Sequence, residues 1–211
     1  PGRWLACSAS VFAAVPATGV RVRAAYAMGY GSRSEHTEIL GKLLRDADAK
    51  VRRTACLSLL SYSPKDMAAA KVFRANIENK EFRPLFLNAL ASDKLEPYLD
   101  AVAKVVEQKP EPQNWSGGEI PAFTAWKLLF KHLQAQSTKD LQSGKCDRYL
   151  DAMENGYVTG SSEPTYIYAF YLQRGMPDRA RKYRETIKKR VTYDIEVYFN
   201  QVDNDPSHFT R

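Results

Sequence analysis

The sequence predicts an all-α chain whose first half is an α-solenoid and whose second half is a helical C-terminal extension. Three observations carry this. Val20-Arg21, Val51-Arg52 and Phe82-Arg83 recur at a fixed interval of 31 residues. Each pair leads into a helix with aligned small or apolar residues: Ala24, Ala55 and Phe86; Ala25, Cys56 and Leu87; Ala27, Ser58 and Ala89; Met28, Leu59 and Leu90. No clear β-run or hairpin dipeptide breaks the helical patterning. A period of roughly 20–50 residues marks an array whose units bury their apolar faces only against neighbours.

The segments between these helices also read as helices. Ile39, Leu40, Leu43 and Leu44 form an apolar stripe at helical spacing, with Ser32 and Glu35 placed as a capping box. Ser63 and Pro64 open the next helix as N-cap and first helical residue, and Val72, Phe73 and Ile77 supply its apolar side. Asp93 and Glu96 can cap a helix carrying Leu99, Val102, Val105 and Val106. Arg21, Arg52 and Arg83 read as structural, because each starts a helix after an acidic or polar turn where a carboxylate such as Asp46 or Asp48 can pair with it.

Val20-Arg21-x-x-Ala24-Ala25-x-Ala27-Met28-Gly29 resembles the core of HEAT repeats, and Leu43-Leu44-x-Asp46-x-Asp48-x-x-Val51-Arg52 resembles the junction before it. The 31-residue period is most similar to the HEAT-like repeats first associated with phycobilisome lyases. The resemblance covers residues 1–108 and weakens in the third unit, where Phe86 and Leu87 replace the small pair. It implies paired antiparallel helices stacked into a curved array. It does not imply lyase activity. In such an array the second helices line the concave side, presenting Arg23, Tyr26 and Tyr30, then Thr54, Leu57 and Ser61, then Leu85, Asn88 and Ser92. Arg23, Tyr26, Tyr30, Thr54, Leu57 and Asn88 are the candidate partner-binding residues.

The register fails inside residues 109–121, whose three prolines and two glycines read as a connection. Residues 122–203 read as the helical C-terminal region. Ala122 to Leu133 carries Phe123, Trp126, Leu129, Phe130 and Leu133 as a core stripe, and Lys145 to Asn155 is a shorter helix closed by Gly156. The helix opened by Ser162-Glu163-Pro164 is apolar almost all round, so it is expected at the centre. Met176-Pro177-Asp178 then turns into a basic helix, and Tyr171, Gly175 and Ala180 resemble a tetratricopeptide-like hairpin in residues 163–190. Thr192 is placed to cap a last helix with Ile195, Tyr198, Phe199 and Val202 inward, and residues 204–211 read as a polar tail.

Formal net charge is +7, and Arg174 to Arg190 holds eight basic residues against two acidic ones. Ala180, Tyr183, Ile187 and Val191 form the apolar stripe of that helix, which leaves Arg179, Arg181, Lys182, Arg184, Lys188, Lys189 and Arg190 as a basic patch. Such a patch can neutralise phosphates. Catalysis finds little support. His36, His132 and His208 lack metal spacing and read as surface or core-edge residues, and Cys7, Cys56 and Cys146 form no CxxC pair. There is no GxSxG, P-loop or GxGxxG motif, no cofactor is implied, and no stretch approaches the ~18 apolar residues of a membrane span. The reading is a non-catalytic scaffold for a protein partner, expected to belong to a larger polypeptide. Nucleic-acid binding through residues 179–190 is the alternative, and base-excision or lyase-type chemistry a third, which would need acidic and aromatic groups converging in a pocket on the concave face.

Overall fold

The structure, a computed structural model, describes residues 15–31, 34–62, 67–90, 95–108, 121–156 and 162–209. Among these residues it holds twelve α-helices and no strand, so the chain is all-α. It divides into two compact units, Pro1–Tyr98 and Leu99–Arg211.

In the first unit the helices are α1 (Thr18–Gly31), α2 (Ser34–Leu43), α3 (Ala49–Leu60), α4 (Met67–Asn76) and α5 (Arg83–Leu90), followed by a 3-10 turn at Glu96–Tyr98. The aligned small residues are the interface: α1 packs on α3, α2 on both α3 and α4, and α4 on α5. Ala25, Met28, Val51, Ala55, Cys56 and Leu59 are fully enclosed there. Asp48 caps α3 by accepting the Lys50 amide at 2.8 Å and the Val51 amide at 3.4 Å. Ser32, Ser63, Pro64 and Asp93, read above as caps, lie outside the described residues.

The register arginines make the same contact in all three turns. Arg21 donates to the carbonyls of Val15 and Pro16, Arg52 to those of Asp46 and Ala47, and Arg83 to that of Glu78. Arg21 also grips Asp46 through two bonds of 2.7 and 2.9 Å, and Arg52 holds Glu81 at 2.9 Å. The expected pairing to Asp46 is therefore present. Asp48 is occupied as a cap.

The second unit contains α6 (Leu99–Glu107), α7 (Pro121–Gln134), α8 (Thr138–Gln142), α9 (Asp147–Asn155), α10 (Ser162–Gln173), α11 (Pro177–Lys188) and α12 (Glu196–Asn204), ending in a 3-10 turn at Pro206–Phe209. The sequence groups α6 with the repeats. In the structure Leu99, Val102, Val105 and Val106 are instead buried where α6 meets α7 and α9. α10 is the centre, contacting α9, α11, α12 and the final turn, with Ile167 to Tyr171 all buried. Gly175, at φ 63°, ends α10 with the Met176 amide bonded to the Tyr171 carbonyl and the Gly175 amide to that of Leu172.

Four local readings change. The short α8, capped by Ser137, is an additional helix that the sequence pattern does not signal. Gly156 is not left-handed, at φ −55°; an added Cβ would lie 2.8 Å from Val106 Cγ1, so close approach explains this glycine. The last helix begins at Glu196 rather than near Thr192, since Asp194 accepts the Glu196 amide, and Tyr198 is 38% exposed rather than inward. Phe209 is half-buried against Tyr166, so the end of the chain is not wholly a polar tail.

Candidate partner-binding groove

Two helices running in the same direction form the groove. Arg21, near the start of α1, reaches Asp46 just before α3, while near the other end the Ser61 hydroxyl bonds the Gly29 carbonyl at 3.0 Å. The Tyr62 hydroxyl donates to the Met28 carbonyl at 2.7 Å in the interior. Gly29 sets the separation: a Cβ there would sit 2.8 Å from Ser58 Oγ and 3.1 Å from Ser58 Cα. The 31-residue register puts Leu60 at the position of Gly29 in the next unit, and α3 and α5 do not pack as α1 and α3 do.

The resulting groove, about 330 Å³, is lined by Tyr26, Gly29, Tyr30, Thr54, Leu57, Ser58 and Ser61. Tyr26 is 57%, Tyr30 78% and Leu57 52% exposed. The tyrosine rings meet edge to face at 5.0 Å with their hydroxyl oxygens 2.9 Å apart, a bond that raises the Tyr26 pKa. Of the sequence candidates, Tyr26, Tyr30, Thr54 and Leu57 come together here. Arg23 and Asn88 are exposed outside the lining, as is Leu85 at 37%. Ser92 lies outside the described residues. No carboxylate lines the groove.

The basic helix is arranged differently from the open patch suggested by its sequence. Arg179 meets Asp147, Asp151 and Glu154 of α9 at 2.8, 2.5 and 2.6 Å, and covers the ring of Tyr171. Arg184 bonds Glu196, Asp203, Asn200 and Tyr168, tying α11 to α12. Arg190 donates to the terminal carbonyls of α9 at Glu154, Asn155 and Gly156, where the helix end is partially negative. Lys188 pairs with Glu196 at 3.0 Å, and exposed Arg181 lies 3.5 Å from Asp178. Lys182 and Lys189 point to exposed surface. Hydrogen bonds from Arg184 lower the Glu196 carboxyl from 4.5 to about 2 against the effect of burial, with Lys188 assisting.

A second cavity, about 420 Å³, is lined by residues of α7 and α10 that include Trp126, Phe130, Lys131, Glu163 and Tyr166. The aromatic stripe read as core therefore has an open edge: Trp126 and Phe130 are buried and stacked 4.9 Å apart, while Phe123 is half-buried. His36 is buried, 4% exposed, with neither ring nitrogen hydrogen-bonded among the described residues, rather than at a surface or core edge. His132 is half-buried beside Tyr149, and the side chain of His208 lies outside the described residues. Burial pushes the Cys56 thiol up to about 12. Among the described residues no group of three or more His, Cys, Asp or Glu could hold a metal ion, and no helix is long and apolar enough to cross a membrane. No family model, curated protein or solved structure matches this chain.

Proposed function

We propose that the first unit is a HEAT-like α-solenoid and that the chain acts as a non-catalytic scaffold, holding a protein partner along the second helix of each repeat. One observation carries the reading. Among the described residues of this unit, the exposed large hydrophobic side chains are Tyr26, Tyr30, Leu57 and Leu85. All four fall on the repeat register: Tyr26 aligns with Leu57 and Asn88, Arg23 with Thr54 and Leu85, and Tyr30 with Ser61. Tyr26, Tyr30 and Leu57 meet in one groove; contiguous exposed apolar surface marks an interaction site, and tyrosine is favoured where binding energy concentrates. The recurring arginine contact supports the array, since the same side chain meets the same turn in each unit.

The test is selection of displayed random peptides against the full chain and against Tyr26→Ser/Leu57→Ser, which should keep its helicity because both positions are more than half exposed. Peptides should enrich on wild type and be lost on the variant. Equal enrichment on both proteins would remove the groove as the binding site. The nucleic-acid alternative retains Arg181, Lys182 and Lys189 as its most available cations. It predicts salt-sensitive binding of single-stranded DNA that falls when Lys182 and Lys189 become Gln.

A further inference from the structure

The charge around the groove specifies its occupant. α1, α3 and α5 contain no Asp or Glu. Of their six cations, Arg21, Arg52 and Arg83 are held by the turns described above. Arg23, Lys50 and Arg53 are exposed, and among the described residues none of the three has a side-chain partner. Arg23 lies one helical turn before Tyr26 and Ala27, and Lys50 and Arg53 lie one turn before Thr54 and Leu57. Because α1 and α3 run in parallel, both sets fall toward the same end of the groove. That end is basic, and Gly29, Tyr30 and Ser61 lie toward the other.

The excess charge of the chain lies in the same unit. Residues 1–98 carry fifteen Lys and Arg against nine Asp and Glu, whereas residues 99–211 carry sixteen against fifteen. The basic helix is thus matched by acids of its own unit, and the first unit is left strongly positive.

Resting on the reading of the groove as a docking surface, we infer that its partner is an acidic, apolar peptide segment. Leucine-like or aromatic side chains of the peptide lie against Tyr26, Tyr30 and Leu57, and its carboxylates face Arg23, Lys50 and Arg53. A basic segment would bring like charges beside three unpaired cations, which selects against it. Single-stranded nucleic acid fits less well. Leu57 offers no ring for stacking, the tyrosine rings are occupied edge to face, and three cations are few for a phosphate run.

The experiment uses the full chain and a displayed random peptide library of about 12 residues, a length that spans a helical groove. Enriched peptides should combine Asp or Glu with Leu, Phe or Trp. In fluorescence anisotropy their binding should weaken as salt rises, and Arg23→Gln/Arg53→Gln should weaken it about fivefold. Enriched peptides that are neutral or basic but still need Leu57 would overturn the acidic class and leave the groove reading intact. Enrichment indifferent to Tyr26→Ser/Leu57→Ser, or no enrichment, would overturn both. Tighter binding of a single-stranded DNA oligonucleotide, lost with Leu57→Ser, would place nucleic acid in the groove and also overturn the peptide.

Discussion

Arg184 and Arg23 both sit on helices with more cations than acids, yet they face opposite environments. Arg184 is enclosed by Glu196, Asp203, Asn200 and Tyr168, and its guanidinium lies over the rings of Tyr168 and Phe199. Arg23 is exposed and without a side-chain partner among the described residues. Composition ranks the two alike; neighbours separate them. The Arg184 network is testable through pH. Since the folded Glu196 carboxyl is lowered from 4.5 to about 2, its contribution is complete above pH 4.5 and disappears as pH falls toward 2. Glu196→Gln should therefore cost about 1–2 kcal/mol at neutral pH by denaturant unfolding, because the Arg184 and Lys188 contacts lose their charge. The gap to wild type should close across that acid window. A pH-independent gap would mean that packing, not charge, is what Glu196 supplies.

At the scale of the helices, Gly29 decides how closely α1 and α3 approach. Gly to Ala in a helix ordinarily gains about 1 kcal/mol of propensity. Here the added methyl meets Ser58 Cβ at 2.9 Å as well as its Cα, which rotation of the serine cannot relieve. Overpacking of this kind costs about 1–3 kcal/mol, so Gly29→Ala should be net destabilising. Ser58→Gly in the same chain should recover part of the loss, a coupling that thermal melts of the four proteins in the cycle would measure. The helices themselves were largely legible in sequence, because the 31-residue register marks α1, α3 and α5 and the apolar stripes mark their neighbours. The exposed positions Tyr26 and Leu57 followed from that register too. What was illegible depends on contacts distant in sequence. Asp147, Asp151 and Glu154 are ordinary surface acids until α11 brings Arg179 against them. The five residues of α8 are too few for a periodic signal, and Phe209 was hidden among polar neighbours until the final turn folded onto α10.

Across the whole molecule, unmatched positive charge falls in a different place from the one the sequence alone suggests. The densest run of cations, Arg174 to Arg190, is largely matched within its own unit, where seven acids (Asp147, Asp151, Glu154, Asp178, Glu185, Glu196 and Asp203) pair with it. The first unit has fewer cations per segment but keeps Arg23, Lys50 and Arg53 beside an exposed apolar groove. This distribution makes the groove, rather than the basic helix, the centre of the functional account. Hydrogen exchange of the full chain, with and without a peptide enriched on it, locates the binding surface directly. Ligand binding should slow exchange by stabilising the segments it contacts. The account predicts added protection in Thr18–Gly31 and Ala49–Leu60; protection confined to Pro177–Lys188 would contradict it.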